Sequence, residues 1–407
     1  MTRSFLFLQG VCSPFFSRLG KRLNQEGHQV VKVNFNGGDA AFWNAGGAVP
    51  WRGGVDGLTD FYQDIYHKHG VTDVVLFGDQ RPVHRPAIDL AKRQQVRVHV
   101  YEEGYFRPNW LTLEREGVNG HSTLPRDPQW YREAARKVPR YRNGRSLGPS
   151  FKARAWHDIR YHICNLGNRW TFPEYKTHAP VSAWKEYSGY LVRSTRIARR
   201  KQVDAANIAR LINDDRAFYL LPLQLDSDAQ IRTHSRFRTM VELMEQVMES
   251  FAAHAASDAV LVVKNHPLDP GLVPHGRIAR DLAGRYGIAD RIVFLETGHL
   301  PTLLSNATGV VTVNSTVGGS ALVHSRPLIA LGQPIYGIPG LTFQGTLDAF
   351  WHDHEPPDMG LFHNFRNVVI HTTQVNGGFY TEKGIDMGVE QSVGRLTAVR
   401  SRLDVLA

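Results

Sequence analysis

The 407-residue sequence has only two cysteines, Cys12 and Cys164. Two distant cysteines exclude a disulfide scaffold and fit a reducing compartment. Long apolar runs are missing too. Ala259–Val263 falls far short of the ~18 residues that cross a bilayer. The apolar opening Ser4-Phe5-Leu6-Phe7-Leu8 stops at Gln9 and Gly10, which argues against a secretory signal and for a cytoplasmic protein. There is no Gly-x-x-x-x-Gly-Lys-Ser/Thr, no Gly-x-Gly-x-x-Gly after the first strand and no Gly-x-Ser-x-Gly elbow. Histidines and cysteines do not fall at zinc-ligand spacing. P-loop kinases, dinucleotide-dependent dehydrogenases and zinc enzymes lose ground accordingly, and neither a metal nor a cofactor is expected.

What is present is ordinary in bulk and uneven in detail. Apolar residues at 42% and charged residues at 21% exclude disorder as the dominant state. The length suggests two domains at roughly 100–200 residues each. The net charge is +10, yet Tyr131–Lys201 alone holds 17 Lys/Arg against 4 Asp/Glu, a local +13 that leaves the remainder at −3. Trp130, Tyr131, Tyr141, Phe151, Trp156, Tyr161, Trp170, Phe172 and Trp184 are interleaved with this charge or border it. Such a segment can face nucleic acid, an anionic membrane or an anionic substrate, or can be a solvated helical surface.

Periodicity sets the organisation. Ser4–Gln9, Gln29–Phe35, Thr72–Phe77 and Val96–Tyr101 read as strands, with helices over Pro14–Glu26, Leu58–His69 and Ala87–Gln95 between them. The second half repeats the theme with strands at Phe218–Leu223, Ala259–Val263, Arg291–Leu295, Gly309–Val313 and Leu328–Leu331. A long helix over His234–Ala255 carries a Met-rich stripe read as core. Alternation of this kind implies two α/β lobes with parallel sheets. They are expected at 1–205, including the basic segment, and at 206–407. The terminal helix near Val389–Leu406 is open to packing on either lobe.

Four groups of residues lie just beyond predicted strands, where such sheets place their sites. Glu102-Glu103-Gly104 sets two carboxylates at a buried strand end, one facing the site and the other free to pair with Arg107 or a neighbour. Lys264-Asn265-His266-Pro267 offers a charge and a rigidly held imidazole suited to a phosphate. Asn314-Ser315-Thr316-Val317-Gly318-Gly319 opens a helix, where free N–H groups and hydroxyls form a phosphate site or a plain N-cap. Gln224-Leu225-Asp226-Ser227-Asp228 adds carboxylates on the same lobe. These residues suggest an enzyme whose second lobe binds a phosphate-bearing ligand.

The set resembles bacterial CMP-sugar glycosyltransferases, and more closely the capsule polysaccharide biosynthesis family in its KpsS/LipB-like branch. The resemblance rests on Leu8-Gln9-Gly10-Val11, Ser13-Pro14-Phe15-Phe16, Asn34-Phe35-Asn36-Gly37-Gly38-Asp39, Glu102–Pro108 and Gln224–Asp228, in that order, over about residues 4–345. It implies a GT-B-like fold, two Rossmann-like lobes facing a central cleft. It also implies retaining transfer of β-Kdo from CMP-β-Kdo to phosphatidylglycerol or its lyso form, starting a poly-Kdo linker. Under that resemblance Asp228 is the expected nucleophile with Asp226 in reserve, and Glu102 or Glu103 the acid/base. His266 would grip or protonate the CMP phosphate. Gln224, Lys264, Asn265, Pro267, Asn314, Ser315, Thr316, Gly318, Gly10 and Arg107 would bind substrate. The expected partners are CMP-Kdo, an anionic phospholipid, the inner-membrane surface and other capsule proteins, with no nucleic acid. The alternative is a non-catalytic component of capsule polysaccharide export.

Overall fold

A computed structural model of the chain describes residues 2–141, 143–177, 183–214, 216–226, 231 and 235–406. Its strands in chain order are β1 (Ser4–Phe7), β2 (Gln29–Asn34), β3 (Ala48–Pro50), β4 (Asp73–Phe77), β5 (Arg97–Glu103), β6 (Trp110–Arg115), β7 (Phe218–Pro222), β8 (Val260–Lys264), β9 (Ile292–Leu295), β10 (Gly309–Thr312), β11 (Leu328–Ala330) and β12 (Gln374–Asn376). They form a seven-stranded sheet, β12-β6-β5-β4-β1-β2-β3, and a five-stranded sheet, β11-β10-β7-β8-β9. The second sheet is parallel throughout, as expected.

The chain divides into two compact units. The first comprises Met1–Pro125, Glu133–His178 and Arg366–Ala407; the second comprises Arg126–Arg132 and Ala179–Phe365. This differs from the expected division at 205/206, because the C-terminal segment returns to the first unit. The cause is strand pairing: Gln374, Val375 and Asn376 lie opposite Thr112, Leu111 and Trp110 in an antiparallel ladder. The terminal helix is also two helices, Glu382–Thr397 and Arg402–Leu406.

In the first unit, β1, β2, β3, β4 and β5 pair in parallel, while β6 and β12 add an antiparallel edge that period reading missed. The β5–β6 connection needs Gly104, since a Cβ there would sit 2.1 Å from the Trp110 carbonyl oxygen. The Phe15–Gln25 helix buries Phe15, Phe16, Leu19 and Leu23, spaced by three and four residues, against this sheet. Leu58–His69 forms its helix as expected and stops at Gly70, which takes the left-handed conformation.

A buried charge stands at the start of β4, the central strand of this sheet. Asp73 is fully buried and accepts hydrogen bonds from Arg97 Nε (2.7 Å), Arg97 Nη2 (2.7 Å) and His99 Nε2 (2.8 Å). Burial alone would raise its pKa; bonds from Arg97 and His99 more than offset that and hold the carboxyl well below its usual range.

In the second unit the Met-rich helix is shorter than expected, Met240–His254 rather than His234–Ala255. Thr239 caps it, accepting from Glu242 N at 3.2 Å. Met240, Met244, Val247, Met248 and Phe251 are buried in one core, so the stripe is packing.

Candidate active site

The second unit gathers its polar residues at the C-terminal ends of β7, β8, β9 and β10. Parallel pairing aligns Pro222 with Lys264 and Lys264 with Leu295, so the loops leaving these strands start side by side. Gln224 and Asn314 join two of them: Gln224 Nε2 donates to Asn314 Oδ1 at 3.1 Å, and Asn314 N donates to Gln224 Oε1 at 3.4 Å.

The His266 loop is built around its own backbone. Leu268 N donates to His266 Nδ1 at 3.1 Å, which makes Nδ1 an acceptor and leaves the proton on Nε2 in the neutral ring. His266 N in turn donates to Asn265 Oδ1 at 2.8 Å. Asn265 Nδ2 donates to Asp269 Oδ2 (2.8 Å) and Glu296 Oε2 (3.0 Å). Lys264 is buried, and burial together with the nearby Arg193 charge lowers its pKa.

Arg193, from the Ala183–Asn213 helix, fixes the path of this loop. It is buried and donates to the carbonyls of His266 (3.0 Å), Pro267 (3.1 Å) and Asp269, and it pairs with Glu296 at 3.2 Å. One of the 17 basic residues of the Tyr131–Lys201 segment is therefore an internal clamp. Nothing in the charge pattern marks it, because sequence spacing does not report which face of a long helix is covered. Nearby, a cavity of about 860 Å³ is lined by Arg193, Arg199, Arg200, Arg277, Arg280 and His275, a positive environment that suits an anion.

Asp226 is held, not free. Its Oδ1 accepts from Met240 N at 2.8 Å, and its Oδ2 lies 3.1 Å from His275 Nε2. Asp269 Oδ2 lies 3.6 Å from the other ring nitrogen, Nδ1. Burial alone would lower the His275 pKa, but the two carboxylates push it up to about 9, and the Asp226 and Asp269 carboxyls are correspondingly lowered. His275 opens the His275–Arg285 helix and was not singled out from sequence, since a lone histidine carries no local signal. Asp228, the expected nucleophile, lies outside the described residues.

Ser315 caps the Thr316–Val323 helix, its Oγ accepting from Val317 N at 3.1 Å, and Thr316 is exposed at the first turn. The glycine at 318 has a packing reason of its own: a Cβ there would meet Tyr336 Oη at 2.1 Å, and that hydroxyl donates to the Ser315 carbonyl at 2.5 Å.

The first unit presents a second polar group at the C-terminal ends of β1, β2, β4 and β5. Glu102 accepts from Glu103 N at 3.0 Å. Glu103 accepts from Tyr380 Oη at 3.3 Å and lies 3.9 Å from Arg154 Nη1, while Arg107 is exposed. The neighbours named for Glu103 are thus Arg154 and Tyr380, from distant parts of the sequence. Gly10 lends its carbonyl to Arg81 Nη1 at 2.9 Å. Gln9 Nε2 donates to the hydroxyls of Tyr161 and Tyr175, each at 3.1 Å, and Asn36 Nδ2 donates to Tyr161 Oη at 2.8 Å.

The resemblance read from the motifs agrees with comparison to known proteins. The family model described as capsule polysaccharide biosynthesis protein matches residues 72–380. The chain belongs to this capsule family. It is 36% identical to the capsule polysaccharide export protein KpsS of Escherichia coli over 380 residues, covering 93% of this chain and 97% of that protein. It is 35% identical to the capsule polysaccharide modification protein LipB of Neisseria meningitidis serogroup A over 394 residues, covering 93% and 92%. Among solved structures, Thermosulfurimonas dismutans KpsC, a beta Kdo 2,7 transferase, is similar across 96% of this chain and 99% of that one, at 16% identity and a TM-score of 0.43.

In this capsule-family chain, Gln224, Asp226, Lys264, Asn265, His266, Asn314 and Ser315 stand at one sheet edge. Gly10, Glu102 and Glu103 stand at the corresponding edge of the other unit. Arg193, His275, Asp269, Glu296, Arg154 and Tyr380 complete these groups and come from sequence positions without a motif of their own.

Proposed function

We propose that the chain is a retaining glycosyltransferase that moves β-Kdo from CMP-β-Kdo to the hydroxyl of phosphatidylglycerol or its lyso form. The product begins a poly-Kdo linker of a capsular polysaccharide, and the enzyme works at the cytoplasmic face of the membrane. The observation that carries this reading is the His266 ring. It stands with Lys264 at the end of β8, beside the Gln224–Asn314 link between the neighbouring loops, at the sheet edge where parallel α/β units bind phosphates. The capsule names of the relatives support the pathway.

In this reading the second unit binds the donor. His266 Nε2–H and the Ser315 hydroxyl hold the CMP phosphate, with Lys264 and Thr316 beside it. Retention by double displacement needs a carboxylate nucleophile and an acid/base. The Asp228 carboxylate attacks the anomeric carbon, and CMP leaves with the bonding pair of the anomeric C–O bond. The acceptor hydroxyl then attacks the same carbon, a glutamate (Glu102 or Glu103) takes its proton, and the Asp228 carboxylate is released. Asp226 is already engaged by His275 and the Met240 N–H, which suits positioning its loop and favours Asp228 as nucleophile.

The test is incubation with CMP-Kdo generated in situ and a fluorescent phosphatidylglycerol, followed by mass spectrometry. A Kdo-lipid product with CMP release is expected. A second reading, a non-catalytic part of the export assembly, is favoured by the name of the Escherichia coli relative. It is supported instead if donor and lipid are recovered unchanged with folded protein.

A further inference from the structure

The first unit has a helix with its two sides reversed relative to a core helix. The Phe151–Cys164 helix, the Asn165–Gly167 turn and the short Asn168–Thr171 helix follow one another directly in the chain. Trp156, Ile159, Ile163, Leu166 and Trp170 recur every three or four residues, so they share one side. Each is between 44% and 79% exposed. The other side is polar and is the one that packs. Tyr161 takes hydrogen bonds from Gln9 and Asn36, Asn165 and Asn168 accept from the N–H groups of Gly38 and Gly37 at 2.7 Å each, and His157 Nε2 meets the Tyr380 carbonyl at 3.2 Å. The fold therefore holds this helix by its polar face and turns five large apolar side chains outward.

Single exposed apolar residues need no explanation, but a continuous row with two tryptophans does. The residues around it identify the partner. Lys152, Arg160 and Arg169 are exposed beside the row, and Phe151–Trp170 contains four Lys/Arg against one Asp. Tryptophan and isoleucine on one side of a helix with basic residues alongside is the pattern of a helix lying in the plane of an anionic lipid surface.

We propose that this outward face of the Phe151–Thr171 region docks the protein on an anionic phospholipid bilayer by inserting Trp156, Ile159, Ile163, Leu166 and Trp170 at the headgroup level. The polar face of the same helix covers the sheet edge that carries Gln9 and Glu103, so docking brings that edge to the lipid headgroups. Only this last consequence rests on the proposed lipid acceptor; the docking surface does not. It also refines the role of charge: insertion of these side chains holds the protein, and the basic residues select the anionic surface.

The test uses the full chain and the variant Trp156→Ser/Ile163→Ser/Trp170→Ser. These side chains are exposed, so the thermal midpoint should be unchanged. With mixed phosphatidylglycerol/phosphatidylcholine vesicles the native chain should co-sediment, with a blue shift of tryptophan emission. The variant should partition about tenfold or more weakly. Equal binding by both chains overturns the proposal. So does a native chain that ignores vesicles, or one whose self-association, measured without lipid, is what the variant abolishes; in that case the face joins two copies. Transfer to the dispersed short-chain acceptor dihexanoyl phosphatidylglycerol separates the two ideas. If the variant loses vesicle binding but keeps transfer to this acceptor, both stand. If the native chain binds vesicles, the variant does not, and neither transfers Kdo to any acceptor, the docking surface stands and the transferase reading falls.

Discussion

His266 is prepared as a donor by one backbone contact. Because the Leu268 N–H occupies Nδ1, the neutral ring carries its proton on Nε2. His266→Ala should lower transfer about 10–100-fold, the effect of losing one hydrogen bond to a charged group, with the thermal midpoint unchanged. Steady-state rates on CMP-Kdo check this, and a variant turning over at the native rate removes His266 from the donor site. Asp228→Asn keeps the side-chain shape and removes the nucleophile. It should abolish both transfer and any Kdo-protein adduct seen by intact-mass spectrometry without acceptor, while CMP still binds; an adduct that survives in Asp228→Asn and disappears in Asp226→Asn moves the role to Asp226. His275 makes a different prediction. Its pKa is raised to about 9 by Asp226 and Asp269 against an unfolded value near 6.5, so its ion pairs contribute fully below about pH 6.5 and are lost as pH rises through about 9. The stability difference between the native chain and His275→Gln, from urea unfolding, should therefore be largest at pH 6 and shrink by pH 10. A difference that does not change with pH means the histidine is neutral in the fold.

At the scale of elements, the loop-to-helix junction after β10 shows how one residue serves packing and site together. Tyr336 reaches across the first turn of the Thr316–Val323 helix and bonds the Ser315 carbonyl, which is possible only because position 318 lacks a Cβ. Gly318→Ala should cost about 1–3 kcal/mol in unfolding free energy, through displacement of Tyr336 and of the helix start. Gly319→Ala, where a Cβ meets nothing within 4 Å, should cost less. Equal denaturation midpoints for the two variants would show that Tyr336 moves away without penalty. Gly318 is among the residues that the resemblance assigns to substrate. The structure shows that at 318 the space is taken by protein.

For the molecule as a whole, the return of the C-terminal segment is the main architectural fact. Val375, Phe379, Ile385 and Leu396 are buried in one cluster with Phe5, Phe7, Phe15 and Tyr101. Each such side chain contributes roughly 1.5–3 kcal/mol by burial, and domains are stable by only about 5–15 kcal/mol. Deleting residues 366–407 should therefore leave the N-terminal segment without a stable core. Hydrogen exchange read by mass spectrometry should show β1, β4 and β5 losing protection in the deletion. Protection equal to that of the full chain would make β12 a dispensable edge. No helix among the described residues is long and apolar enough to cross a membrane.

Local pattern alone determined the alternating α/β elements, because buried parallel strands read as short apolar runs and their helices as three-and-four repeats. It also placed Glu102-Glu103, Lys264–Pro267 and Asn314–Ser315 at or just beyond strand ends, and topology puts the last two at one edge of the five-stranded sheet. The family was legible from the same motifs in order. Tertiary structure decided the rest. β6 and β12 escaped notice because short antiparallel edge strands take their stability from cross-strand partners, and Val375 meets Leu111 across more than half the chain. Arg193, His275 and Tyr380 escaped because a clamp, an ion-paired imidazole or a buried phenol is defined by what surrounds it, which no local spacing encodes. The apolar face of Trp156 to Trp170 could be counted in the sequence, but its exposure depended on which side of the helix the Gln9 and Asn36 amides would hold. That side is chosen by hydrogen bonds between residues more than a hundred positions apart.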